Sequence, residues 1–225
     1  MPAFVSQQAI PVAAVSCSRS TDFDDANGMW ALKTLEAFGR SGMPNLGLGQ
    51  ARQSFVAGNI AISADSTSYV AAAERQIGGR FQFKTVAFPL AVADGRLPAG
   101  GNVAMVFAKD AERQKAAWKY VKFTTGPVGQ TAMVNSTGYM PGNEIAVKTP
   151  ELLGAFYRKS PNHLTSIQQL PLLTEWASFP GDNSLKIIEV IKHHIESLVT
   201  GKRTAEQVMP ELVKDVSKLL PKCGG

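Results

Sequence analysis

Two adjacent glycines, Gly100 and Gly101, open the stretch that most restricts this chain, Leu97–Pro141 (LPAGGNVAMVFAKDAERQKAAWKYVKFTTGPVGQTAMVNSTGYMP). Pro98 and the glycine pair mark a turn, and the apolar run Val103–Ala108 after them reads as a buried strand. Asp110 stands where a helix N-cap belongs, and Ala117, Val121 and Thr124 fall on one face of the helix it would start. Gly126-Pro127 ends that helix, and a shorter segment leads to Gly138-Tyr139-Met140-Pro141. The order of turn, strand, amphipathic helix and Gly-Tyr-Met-Pro loop describes a scaffold that presents two loops to a ligand.

Composition narrows the function classes. Hydrophobic residues make up 44% of the 225 and charged ones 18%, the balance of a folded globular chain with a substantial core. The net charge of +5 is scattered along the chain. It forms no basic block with interleaved aromatics, so nucleic acid is not an expected partner. Cys17 and Cys223 lie near opposite ends, equally consistent with one disulfide or two thiols. Met1–Ser20 has an apolar middle and small residues around Ala13, but Gln7, Gln8 and Pro11 break it and no basic segment precedes it. It does not read as a signal peptide, and no stretch approaches the length of a membrane span.

Taken in order, Asp24 or Asp25 caps a helix carrying Leu32, Leu35 and Phe38, which Gly39 and Gly42 stop. Phe55–Ala64 (FVAGNIAISA) and Phe81–Phe88 read as strands, with the alanine-rich helix Val70–Gln76 between them. A short helix over Glu151–Lys159 precedes a loop holding Pro161, His163 and Pro171. Leu185, Ile188, Ile191, Ile195 and Leu198 recur at helical spacing, so Ser184–Thr200 is an amphipathic helix. Thr204-Ala205-Glu206-Gln207 is a capping box opening a last helix with Val208, Leu212, Val216 and Leu219 inward and Pro210 inside it.

These stretches together resemble the extracellular solute-binding proteins of ABC importers, in their carbohydrate-binding branch. That family carries a double glycine before a strand, a helix of the form "k.aAw.fvkf" and a "tGy.P" loop, matched by Gly100-Gly101, Lys115–Phe123 and Thr137–Pro141. Residues 53–69 (QSFVAGNIAISADSTSY) are similar to its "F..G.aAm...s" pattern, and the tail containing Gly201–Gln207 to its closing helices. The resemblance runs roughly from Phe23 to Leu220. It implies an α/β fold of the periplasmic-binding-protein-like type II, two-lobed class, here only its C-terminal part. Residues of about 23–82 and 142–225 would then form the C-terminal lobe. About 83–141 would cross into the N-terminal lobe, and 1–20 stay unassigned.

Candidate binding residues follow from chemistry and resemblance together. Ser66, Thr67 and Ser68 end the first expected strand and place hydroxyls beside a helix start; in related proteins this loop touches ligand, whereas the residues alone also allow a plain cap. Gly100 and Gly101 let backbone approach a ligand, with Asn102 beside them, although a tight turn would also need them. Tyr139 offers a flat face and one hydroxyl, suited to a sugar ring and equally to a buried loop. Trp176 sits where relatives often place a ligand-contacting aromatic, and a core role suits it as well. No arginine stands between Arg158 and Arg203, where binders of glycerol 3-phosphate have one.

The function these residues imply is the substrate-binding component of an ABC transporter, delivering a small-molecule solute to permease subunits in the membrane. An uncharged sugar or polyol is the expected ligand, with a choline-bearing glycerophosphodiester next. A periplasmic monomer without cofactor or metal is expected, the leader lying outside this sequence. His193 and His194, neighbours on one helix, point about 100° apart and cannot share a metal ion. Two other readings stay open: a Ser/His hydrolase or transferase, for which no G-x-S-x-G elbow is present, and a truncated fragment that binds nothing.

Overall fold

The computed structural model describes residues 23–174 and 178–221. Residues 1–20, Cys17, Cys223 and Trp176 therefore lie outside the described part. The chain divides into two compact units, one formed by its beginning up to Leu46 with its end from Ala177, the other by Gly47–Trp176.

The first unit is built on three helices, α1 (Ala26–Arg40), α9 (Ser184–Val199) and α10 (Ala205–Leu219). Asp25 caps α1 by accepting from the Gly28 amide at 2.8 Å, as a short carboxylate at an N-cap does. Thr204 and Gln207 form the expected capping box on α10: the Thr204 hydroxyl accepts from Gln207 N and the Gln207 side chain from Thr204 N. Pro210 sits within a continuous α10. Leu32, Ile187, Leu198, Val208, Leu212 and Val216 make the core. On α9 the inward stripe is Ile187, His194 and Leu198, while Leu185 and Ile188 face outward. Of the expected stripe, Leu198 is buried, Ile191 packs on the core and Ile195 is half-buried, so only its first turn, Leu185 and Ile188, is corrected, in favour of Ile187; α9 carries apolar residues on two faces there, and periodicity alone does not choose between them.

The buried Glu36 and His194 of this unit each have a polar partner. Glu36 is buried and accepts from the Ala205 amide at 3.0 Å, a carboxylate at the positive end of α10. Its other oxygen takes the Arg40 guanidinium. Gly39 sits where α1 meets the end of α9, and a Cβ there would lie 2.4 Å from the Val199 carbonyl oxygen. His194 meets the Asp215 carboxylate at 3.3 Å. Lys218, and after it His194, hold the Asp215 carboxyl below the usual carboxylate range.

The second unit contains α2 (Leu48–Val56), a 3-10 turn over Thr67–Tyr69, α3 (Val70–Ile77), β1 (Leu97–Pro98), α4 (Ala111–Thr125) and α5 (Pro127–Thr137). After these come α6 (Glu144–Lys148), a π-type turn over Pro150–Gly154, α7 (Ala155–Lys159), α8 (Pro161–Gln169) and β2 (Leu173–Thr174). Val134, Ala146, Leu153 and Tyr157 form one core cluster, and Val56, Ala73 and Ile77 with Phe55, Phe81 and Phe83 a second.

The strand expectations need correction. Among the described residues the sheet is a two-stranded parallel pair, Leu97 opposite Leu173 and Pro98 opposite Thr174. Phe55 ends helix α2 instead of opening a strand, and neither 81–88 nor 102–108 joins a ladder. Residues Phe81–Val86 nevertheless alternate between half-buried and exposed as a strand would. Their backbone groups are met by side chains of α8, itself a helix where a loop was expected. Thr85 N donates to Asn162 Oδ1 at 3.1 Å and Phe88 N to Gln169 Oε1 at 2.8 Å. Residues 103–107 have no such support among the described residues, and Val103 (79%) and Phe107 (84%) stand largely exposed. Helix α4 confirms its predicted face, with Ala117, Val121 and Thr124 half-buried, while Trp118, Tyr120 and Phe123 are exposed.

Candidate functional site

The second unit brings two of the singled-out loops together. Ser66 caps the Thr67–Tyr69 turn: its hydroxyl accepts from Ser68 N at 3.3 Å and lies 3.0 Å from the Ser68 hydroxyl. One residue earlier, Asp65 accepts from Ser66 N and from both Nε and Nη2 of Arg52, at 2.7 and 2.8 Å. This is the fork geometry that a guanidinium offers a carboxylate. Asp65 therefore holds Arg52 more firmly protonated than usual, against a smaller opposing effect of burial. The same guanidinium lies 4.3 Å from the centre of the Tyr69 ring, within cation–π range. The serines thus sit on a loop braced from behind by Arg52, Asp65 and Tyr69.

The Gly-Tyr-Met-Pro loop meets that turn at Gly138. Gly138 ends α5 in the left-handed region, φ +86°, where a Cβ is penalised. A Cβ there would lie 3.0 Å from each of Thr67 O, Val70 Cβ and His163 Nδ1. The glycine lets the backbone of the Tyr139 loop rest on the serine loop with nothing between. Tyr139 N then donates to the Thr137 hydroxyl at 3.0 Å. Its own hydroxyl reaches the Gly100 carbonyl at 3.5 Å, the outer limit of a hydrogen bond. A Cβ on Gly101 would sit 3.9 Å from that hydroxyl. Tyr139 thereby spans from the Thr67 loop to the glycine pair. Beyond it, Gln130 accepts from Gly142 N at 2.7 Å and donates to Thr124 O, tying the far end of the loop to α4.

Gly100, Gly101, Asn102 and Ser66 are exposed, and Thr67, Ser68 and Tyr139 are half-buried. The two loops and Tyr139 form one neighbourhood. Asn102 is exposed immediately after the glycine pair. The sequence reading missed three supporting residues. Arg52 and Tyr69 brace the serine loop through contacts that no local pattern announces. His163, read as part of a loop, is a buried side chain of α8 at the Gly138 crossing. An open hollow of about 260 Å³, lined by Phe55, Ile60, Phe81 and Phe83 among others, shares no residue with these loops.

The hydroxyls beside histidines are engaged elsewhere. Ser166 donates to the His163 carbonyl at 2.8 Å and Ser197 to the His194 carbonyl at 2.6 Å, each along its own helix. Neither is aimed at an imidazole in the way a nucleophile is. Among the described residues there is no group of three or more His, Cys, Asp or Glu able to hold a metal ion, and no helix long and apolar enough to cross a membrane.

Comparison with known proteins shows what the chain is similar to. A family model described as bacterial extracellular solute-binding protein matches residues 21–162. The sn-glycerol-3-phosphate-binding periplasmic proteins UgpB of Pectobacterium atrosepticum and of Escherichia coli K12 are each 27% identical over 124 residues, covering 54% of this chain and 28% of theirs. The chain thus matches little more than a quarter of those relatives' length. UgpB of Mycobacterium tuberculosis, solved in complex with glycerophosphocholine, superposes with a TM-score of 0.73 at 18% identity. That superposition covers 88% of this chain and 49% of the other, and at such identity it is a likeness of fold: the type II periplasmic-binding-protein fold, present in part.

Proposed function

Since the chain belongs to the bacterial extracellular solute-binding protein family, we propose that it is the substrate-binding component of an ABC importer. It takes a small polyhydroxylated solute in the cleft between lobes and hands it to permease subunits in the membrane. The observation that carries this reading is Tyr139, whose ring links the Gly138–Thr67 crossing to the Gly100 carbonyl. Ser66, Thr67, Ser68, Gly100, Gly101, Asn102 and Tyr139 are the proposed ligand contacts, with Trp176 proposed from the sequence. About 83–141 is the proposed segment of the N-terminal lobe, and 83–88, held by side chains of α8, its point of crossing. The periplasm is the proposed location, in keeping with the periplasmic naming of the relatives.

The ligand class follows from the charges around the serine loop. The Arg52 cation beside the serines is matched by Asp65, so the loop offers hydroxyls and amides without an uncommitted positive charge. Such a site suits a sugar, a polyol or a singly charged glycerophosphodiester better than a phosphomonoester, which normally wants a guanidinium fork. Closure over the ligand then shifts the population toward the form a permease reads.

Calorimetry of the chain, and of the chain extended upstream in its reading frame, against maltose, glycerol, glycerophosphocholine and glycerol 3-phosphate tests the proposal. Saturable binding of one of the first three is expected. Silence across the panel for both proteins would refute the receptor, and tight binding of glycerol 3-phosphate alone would refute the ligand class. Turnover of ester or glycoside reporters is expected to be absent; a Ser/His enzyme would show it.

A further inference from the structure

We propose that Glu74, Asn162 and His163 form a positioning network that sets the Thr67 and Tyr139 loops and the 83–88 segment in one register for ligand binding. The ligand-binding part of this inference rests on the function proposed above. Glu74 lies one turn into α3, directly behind the serine loop, and its carboxylate is shared. Oε1 accepts from Asn162 Nδ2 at 2.9 Å and Oε2 faces His163 Nε2 at 3.1 Å. A carboxylate only accepts, so His163 must carry its proton on Nε2.

The remaining atoms of these two α8 residues reach the segments to be placed. Asn162 accepts from Thr85 N at 3.1 Å and approaches the Phe83 carbonyl with Nδ2 at 3.3 Å, as a neighbouring strand would. The His163 carbonyl side of the same turn is secured by Ser166. His163 itself is 3% exposed, and its Nδ1 has no hydrogen-bond partner among the described residues. That bare nitrogen is the atom 3.0 Å from where a Gly138 Cβ would stand, beside Thr67 O. Without a hydrogen, Nδ1 admits the close approach of the Gly138 backbone. With one, it would present a donor to the crossing of the two loops. Glu74 therefore sets the tautomer, and the tautomer sets whether a bare nitrogen or a donor faces that crossing.

The substitution Glu74→Gln tests this at nearly constant shape. Its carboxamide has one oxygen and one donor group; the oxygen goes to Asn162, the NH2 turns to His163 Nε2, and the imidazole proton moves to Nδ1. Side-chain 15N spectra should show His163 protonated on Nε2 in the unaltered chain and on Nδ1 in E74Q, with the Thr67 and Gly138 amide signals shifting. Affinity for glycerophosphocholine should fall by about 10- to 100-fold, as it does when a group that orients a metal ligand is removed, at an unchanged melting midpoint. An Nε2 proton retained in E74Q, or unmoved Thr67 and Gly138 signals, overturns the network whether or not any ligand binds. A network seen in the spectra with unchanged affinity overturns its role in binding. Absence of binding by the unaltered chain refutes the receptor reading instead, and the spectra still judge the network. Should E74Q not fold, Asn162→Ala serves. It should speed proteolytic cleavage within 83–88, and an unchanged cleavage rate overturns the proposal.

Discussion

Replacing Gly138 by alanine adds a methyl 3.0 Å from three atoms and forces φ +86° on a residue with a Cβ. The left-handed conformation alone costs ~1–2 kcal/mol, so chemical denaturation of G138A should show at least that loss, and ligand affinity should fall with it. Tyr139→Ala should instead cost ~1–3 kcal/mol of binding, the range for truncating a packed aromatic contact, with folding stability far less affected. Calorimetry and denaturation run on both variants separate the two roles. Tyr157 carries a pH signature. Burial pushes its hydroxyl up from 10.0 to about 12, opposed in part by Ser166. The folded state thus holds its proton longer than the unfolded chain does. The resulting stability is complete below pH 10.0 and drains away as pH rises toward about 12. A Tyr157→Phe chain should lack that alkaline component in a pH series of melts. At this scale the candidate residues could be singled out because hydroxyls, glycines and a tyrosine declare their chemistry locally. His163, Arg52 and Tyr69 could not, because their roles come from partners as far away as Glu74, 89 positions from His163.

Helix ends were the most legible elements, since a cap is written in three or four consecutive residues. Asp25, Asp110 and Thr204 cap where the sequence placed them. Thr204→Ala should lower stability by ~1 kcal/mol, read as a lower denaturant midpoint at constant slope. Strands were the least legible. Their side-chain alternation is local, as Phe81–Val86 illustrates, but their ladder belongs to a neighbour that the sequence window does not contain. In 83–88 the neighbour is a pair of amide side chains on α8, and in 102–108 the apolar run joins no ladder among the described residues. Phe55 fails for a different reason. The pattern leading to Gly58 is apolar enough for either structure, and burial against Ala73 and Ile77 selects a helix.

The whole molecule shows an uneven surface. Val103, Phe107, Trp118 and Phe123 are exposed within one stretch of 21 positions, more apolar area than scattered surface residues usually provide. The chain should bind a hydrophobic dye, and replacing Val103 and Phe107 by lysine should cut the signal without moving the melting midpoint. Loss of the fold in that variant, in place of loss of dye, would mean these side chains are packed after all. Connectivity has a further effect, on the order in which the protein is made. The unit built on α1 is assembled from the two ends of the chain, and the Glu36–Ala205 bond within it joins residues 169 apart. On a ribosome α1 emerges well before α9 and α10, the helices it packs against. The continuous Gly47–Trp176 unit is synthesised in full before them. Closing so long a loop is slow, and domains complete themselves as they emerge. The Gly47–Trp176 unit thus folds while α1 is still waiting for α9 and α10.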